Sequence, residues 1–257
     1  MLTEFQTKDL ATLMLKNNRV LCPEIFNEDN SLKQAVQEKL LEISTFLIDK
    51  ISSFMNNFEV EDVYLCGGIA SHIYNDYTDI DICIVVKHKK FDDEPSYFKG
   101  LLKKINPTIS NVINDIRIYG RKIDVGFINV LDRGSGLYSL TQNKWLFEPK
   151  FQKFPFTLKD FLTEYAEYTQ EIDNYIIGLE KIETGFLTQK SCQKVENYLL
   201  LLKEKMFKEK SSSVEKEYGL NHNLYRLFTK SGKHQEIRDY IADSYNQLIN
   251  FLEERGE

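Results

Sequence analysis

Three aspartates and a pair of glycines are the residues of this chain whose types and spacing could do chemistry. Leu65-Cys66-Gly67-Gly68-Ile69-Ala70-Ser71-His72 leads into Thr78-Asp79-Ile80-Asp81-Ile82-Cys83-Ile84-Val85-Val86. Adjacent glycines let backbone N–H groups approach a phosphate without side-chain obstruction. A helix opening at Gly68 would aim its positive end at the same anion. Asp79 and Asp81 are two residues apart, so a strand sets both carboxylates on one face, ~6.5–7 Å apart along the chain. Further on, Lys122-Ile123-Asp124-Val125-Gly126-Phe127-Ile128-Asn129-Val130 carries one acid, Asp124, in a β-rich apolar run. Carboxylates projecting beside a phosphate cradle are what a divalent ion carrying a nucleoside triphosphate requires.

Each part alone is ordinary: Gly-Gly makes tight turns, and Asp-x-Asp is common at solvated strand edges. Their order and strand context make the pattern informative. Gly-Gly, then Asp-x-Asp, then a later lone Asp on a strand resembles the nucleotidyltransferase superfamily of the DNA polymerase beta type, over roughly Glu61 to Val130. The superfamily includes tRNA nucleotidyltransferases, poly(A) polymerases, aminoglycoside nucleotidyltransferases and toxin-type enzymes, and the flanking sequence matches no one subfamily. The resemblance implies two Mg2+ ions, with Mn2+ as a substitute. Asp79 and Asp81 would bind the ion that carries the NTP, and Asp124 would join at the ion that activates the acceptor. Gly67 and Gly68 would offer N–H groups to the phosphates, with Ser71 adding a hydroxyl. Many relatives place Ser directly after the first glycine, where this chain has Gly68.

The elements that must position these residues follow from hydrophobic period. Leu32, Val36, Leu40, Ile43, Phe46, Leu47 and Ile51 recur at helical spacing, with Asn30 or Ser31 as the cap. Val60 to Cys66 reads as a strand, Gly68 to Asn75 as a short helix, and Asp79 to Val86 as a central strand. Tyr97 to Ile105 reads as a helix. Val112 to Tyr119 and Lys122 to Val130 read as strands of a hairpin around Gly120-Arg121. Leu131 to Phe156 is irregular and rich in aromatics, and reads as a linker and wall. Trp145, Phe147, Phe151 and Phe154 there would pack between domains or stack a base.

From Thr157 the pattern is helical, with helices expected at about Thr157–Leu179, Ser191–Lys208, Val214–Phe228 and Gln235–Glu253 as an up-down bundle. The fold class is α/β in the α+β sense: a nucleotidyltransferase core with a mixed sheet over residues 1–156, and a helical domain over 157–257.

The chain has 257 residues, 42% hydrophobic and 28% charged, with net charge −6. That balance argues against a dedicated duplex binder. Yet Lys99 to Lys159 holds eleven Lys or Arg against four Asp or Glu, a local +7, leaving −13 elsewhere. Such a segment suits a polyanionic ligand. Cys22, Cys66, Cys83 and Cys192 form no CxxC pair. They imply neither a zinc site nor a disulfide framework, and Cys66 and Cys83 read as buried small hydrophobes. The N-terminus lacks the pattern of a signal peptide and no apolar run reaches membrane-spanning length, so a cytoplasmic location is expected.

His72, His222 and His234 read as structural. Arg117, Arg121 and Lys122 stand near Asp124 in sequence and could neutralise phosphate, although Arg121, in the turn, reads as solvent-facing. The function expected is transfer of an NMP from an NTP to an acceptor hydroxyl, on a small molecule or an RNA 3′ end, releasing pyrophosphate. The alternatives are a toxin-type enzyme modifying tRNA or protein, and a non-catalytic nucleotide-binding protein.

Overall fold

Alternation along Val63-Tyr64-Leu65-Cys66 and Ile80-Asp81-Ile82-Cys83-Ile84 sorts the sheet into an apolar and a polar face, because successive strand side chains point to opposite sides. The computed structural model describes residues 4–53, 58–88, 95–113, 115–129, 136–183, 197 and 218–255. Among these residues the α-helices are α1 (Glu4–Met14), α2 (Gln34–Ser52), α3 (Pro95–Val112), α4 (Leu158–Glu183), α5 (Leu220–Lys230) and α6 (Lys233–Arg255). The strands are β1 (Phe58–Cys66), β2 (Ile80–His88), β3 (Arg117–Ile118), β4 (Arg121–Ile128), β5 (Leu137–Ser139) and β6 (Lys144–Phe147). They form one mixed sheet in the order β3-β4-β2-β1-β5-β6. β2 and β4 are parallel and the other pairings are antiparallel. The class is therefore α+β.

The chain divides into two compact units, Lys16–Lys153 and, together, Met1–Leu15 with Phe154–Glu257. The single boundary expected from the sequence lies after residue 156.

In the first unit, α2 and α3 cover the apolar face. Val36, Leu40, Ile43, Leu47 and Ile51 of α2 and Phe98, Leu102 and Ile109 of α3 join Val63, Leu65, Ile80, Ile82, Ile84, Ile123, Val125 and Phe127 in one core. Full burial of each such side chain is worth about 1.5–3 kcal/mol. Phe46, expected on this face, is exposed. α2 starts at Gln34 behind Lys33, which makes no side-chain cap, rather than at Asn30 or Ser31. Asn30 has φ 62° and Ser31 donates its N–H to Asp29 Oδ1 at 2.9 Å, so these residues are consumed by an Asx turn.

α3 also corrects an expectation. It begins at Pro95, passes Pro107 and ends at Val112, where a strand was expected. Phe98, Leu102, Ile105 and Ile109 keep helical spacing through Pro107, and their burial outweighs the ~3 kcal/mol an interior proline costs. The β3–β4 hairpin turns on Tyr119 and Gly120, with φ 49° and 78°. Two positive φ values define the turn that matches strand twist. The turn is one residue earlier than expected, so Arg121 opens β4 and shares the inward face of Ile123, Val125 and Phe127. A one-residue register change moves a side chain to the other face of a sheet.

Leu131 to Phe156 is not simply a linker. Its described residues include β5 and β6, which extend the sheet beside β1. Trp145 stacks on Phe26 at 5.3 Å, meets Tyr138 edge-on at 5.0 Å and donates Nε1–H to Asn30 O at 2.8 Å. It thus packs on Phe26 and Tyr138 within the first unit.

In the second unit Ala11 and Met14 of α1, Phe161 of α4 and Leu224 and Leu227 of α5 share a core. Phe154 packs on Phe156 and Tyr218, and Phe156 on Phe161. α4 starts where expected. Asp160 N–H donates to Thr157 Oγ1 at 3.2 Å, and Asp160 Oδ2 accepts from Thr157 N–H at 3.0 Å. This reciprocal cap is worth about 1 kcal/mol. Ser231 and Gly232 separate α5 from α6 as expected. The helix expected at 191–208 and the Ser211–Ser213 break lie outside the described residues.

Candidate active site

Asp81 and Asp124 are Cα partners in the parallel β2–β4 pairing. Neighbouring strands lie ~4.8 Å apart, and in-register residues of a parallel pair project to the same face. That face also carries Tyr64, Cys66, Cys83 and Gly126. Asp81 is half-buried and Asp124 exposed. Asp79 precedes β2 by one residue and is exposed, so it stands at the strand mouth rather than within the ladder.

Gly67 is held to glycine twice over. Its φ is 70°, which L side chains rarely adopt, and a Cβ there would lie 2.0 Å from Asp81 Oδ2. The Asp81 carboxylate therefore lies directly against the Gly67 backbone. A Cβ on Gly68 would come within 3.0 Å of Thr78 Cγ2, so the Gly-Gly turn also faces the loop that leads to Asp79.

The short helix expected over Gly68 to Asn75 is a single 3-10 turn, Gly68–Ala70, which corrects the expectation of a helix N-terminus aimed at phosphate. Ser71 ends it in an extended conformation (φ −144°, ψ −179°). Its fully buried hydroxyl donates to Gly68 O at 2.8 Å and accepts from Ile73 N–H at 3.3 Å. Ser71 thus shapes the turn from behind.

The loop between this turn and β2 is fixed by its own side chains and by Arg121. Asn75 N–H donates to Thr78 Oγ1 at 2.8 Å, and Tyr77 N–H to Asn75 Oδ1 at 2.9 Å. Arg121, expected to face solvent, is 6% exposed. Its Nη1 donates to Asn75 O at 2.6 Å and Thr78 O at 3.1 Å, and its Nε to Glu24 Oε2 at 3.1 Å. One guanidinium on the Asp124 strand thereby ties down the backbone immediately before Asp79. Lys122 is half-buried on the Asp124 face. Arg117 is exposed opposite it in the β3–β4 register, and Lys150 and Lys153 are exposed.

Two features escaped the sequence reading. Cys66 Sγ and Cys83 Sγ are 3.1 Å apart, and both residues are half-buried rather than core hydrophobes. The Cys66 hydrogen bond lowers the Cys83 pKa, against burial and the charges of Asp81 and Asp124. The register of a β1–β2 hairpin was the signal that could have found the pair. The second feature is Asp62, 3% exposed, beside a bulge in β1. It accepts hydrogen bonds from Ser139 Oγ at 2.7 Å, Gln142 Nε2 at 3.0 Å, Val63 N–H at 2.7 Å and the Thr141 hydroxyl. Burial alone would raise its pKa, but the Thr141, Ser139, Val63 and Tyr64 hydrogen bonds outweigh it and hold the carboxyl below the usual range. Burial, and then the Asp62 charge, pushes Tyr64 up to about 12. Only partners distant in sequence reveal Asp62's role.

His72, His222 and His234 are held by packing and hydrogen bonds. His72 is buried, its Nδ1 3.0 Å from Asn18 O, with Phe151 edge-on at 5.7 Å. His234 packs on Tyr225 and Phe228. Burial, aided by Arg226, lowers the His222 pKa to about 4.

Among the described residues, no three His, Cys, Asp or Glu side chains gather as a ready-made metal cage. Magnesium commonly takes only one or two carboxylates and completes its shell with waters and substrate phosphates. The abreast pair Asp81 and Asp124, beside backbone that a Cβ would block, fits that kind of partial ligand set. No described helix is long and apolar enough to cross a membrane. No family model, curated protein or solved structure compared with the chain matches it.

Proposed function

We propose that the Lys16–Lys153 unit is a metal-dependent nucleotidyltransferase, on the core fold that the motif resembles. The observation that carries this reading is the register of Asp81 against Asp124 beside Gly67, where a side chain would be strained by the positive φ and would displace the Asp81 carboxylate. Asp81 and Asp124 would hold Mg2+, with Asp79 joining from the strand mouth. Bound there, the ions would supply charge neutralisation for the triphosphate and the developing oxyanion.

The chain's own residues do the positioning. Gly67 and Gly68, which carry no side chains of their own, would offer backbone N–H groups to the phosphates. Arg121 and the Asn75–Thr78 turn keep the approach to Asp79 in place, so little reorganisation remains on binding. The apolar face beneath β2 and β4 fixes both strands. In the transfer itself, the acceptor oxygen bonds to the α-phosphorus and the bond to pyrophosphate breaks. The acceptor is a small-molecule hydroxyl or an RNA 3′ end.

The test incubates the protein with labelled NTPs, Mg2+ and a pool of RNA, small metabolites and protein. Label in one fraction, lost in Asp81→Ala, supports the reading and names the acceptor class. Label in RNA or protein, if confined to one tRNA or one polypeptide, selects the toxin-type alternative. Calorimetric binding of Mg–NTP with no transfer to any fraction would leave a nucleotide-binding protein instead.

A further inference from the structure

Cys66 ends β1 directly before Gly67, and Cys83 follows Asp81 by two residues on β2. In the antiparallel register Cys66 faces Asp81 and Tyr64 faces Cys83, so the cysteines are diagonal neighbours on one face. Strand twist brings one diagonal of such a pair closer than the other, and here the sulfurs are 3.1 Å apart. An S–S bond is ~2.05 Å long, so the sulfurs need to close by only about 1 Å. Both residues are half-buried, which leaves a small oxidant a route to them. Cys66 Sγ also donates to Asp81 O at 3.6 Å, so a change at this sulfur is felt at the aspartate's backbone.

We propose that Cys66 and Cys83 form a redox-modification site, which a hydroperoxide converts to a reversible disulfide that staples the Gly67 turn to the strand of Asp81. One thiolate attacks the peroxide, the O–O bond breaks, and a sulfenic acid and water result. The second thiol displaces the sulfenic oxygen as a second water while the S–S bond forms. Two thiols and one hydrogen peroxide thus give one disulfide and two waters, with sulfur oxidised and peroxide oxygen reduced. A thiol reductant reverses the change. The disulfide removes the S–H donor to Asp81 O and shortens the link between the glycine turn and the carboxylate resting on it. Slower nucleotidyl transfer in the oxidised form rests on the function proposed above; the thiol chemistry does not.

The test treats the reduced full-length protein with hydrogen peroxide, alkylates remaining thiols and maps peptides without reduction. The expected result is a Cys66–Cys83 cross-linked peptide that dithiothreitol releases. Hydrogen exchange at the amides of Gly67 to Ser71 should slow by about tenfold in the oxidised form. In Cys83→Ser, a sulfenic acid at Cys66, trapped by dimedone, should replace the disulfide. Both cysteines remaining alkylatable, each oxidising separately, or pairing with Cys22 or Cys192 would overturn the proposal. Unchanged exchange in a mapped disulfide would overturn the staple. A mapped disulfide in a protein that transfers no nucleotide even when reduced would count against the enzyme reading alone.

Discussion

Asp62 and Asp81 project from the same face of the sheet and live in opposite circumstances. Asp62 is buried, and the β5–β6 turn closes over it with Ser139, Thr141 and Gln142. Asp81 is half-buried, stands abreast of the exposed Asp124 and rests on a glycine that has made room for it. The difference separates a carboxylate saturated by donors of the fold from one left half-buried beside an exposed second acid. A buried charge ringed by donors is costly to disturb and has no lone pairs left for chemistry. A carboxylate beside a second one repels it, and a cation placed between them would relieve that repulsion.

The sharpest way to break this contrast is substitution at both places. Asp81→Ala should cut transfer by about a thousandfold or more, the scale that metal and electrostatic stabilisation supplies. Its melting temperature should hardly change. Near-normal turnover in this variant, measured on the acceptor that labelling identifies, would sink the assignment of the site. Asp62→Ala should do the reverse. It strands the hydroxyls of Ser139 and Thr141 and the Gln142 amide, and should lower stability by about 3 kcal/mol in urea titrations. Transfer by the still-folded fraction should persist.

Acid sharpens the contrast further. The Asp62 carboxyl is held below its unfolded value, so its stabilisation is complete above the unfolded pKa of about 4. It is lost as pH falls through the lower folded value. The stability gap between the native chain and Asp62→Asn should therefore narrow between about pH 5 and pH 2. A gap independent of pH would show that the ionised form contributes nothing. The smallest expected effect is Thr141→Val, about 1 kcal/mol for one hydrogen bond to a charged acceptor that keeps its other donors.

The candidate site was legible where local pattern carries the information. Alternation marked β1, β2 and β4, and the acids stood out against it. The Thr157–Asp160 cap was readable because both partners lie within one turn. What escaped was set by partners distant in sequence or by one-residue register. The turn at Tyr119-Gly120 rather than Gly120-Arg121 decided that Arg121 faces inward, where it clamps the loop before Asp79. β5 and β6 have three and four residues, too few for a periodic signal. Asp62 carried no sequence signal because Ser139, Thr141 and Gln142, which enclose its carboxylate, are 77 to 80 residues away. The helix expected after Gly68 failed because Ser71 satisfies the turn's carbonyl and ends it.

The parallel pairing of β2 with β4 also sets an order of events in time. Asp81 and Asp124 are 43 residues apart in the chain, whereas β1 and β2 can meet through a local turn. Closing the longer loop costs more entropy before any contact rewards it. The glycine turn and its first acid can therefore form early, while the second acid arrives only when α3 has packed and β4 has docked. A nascent chain still lacking β4 carries one acid of the pair, with the β4-side edge of β2 left unpaired. The last step of building this centre is the same step that protects the sheet from aggregation.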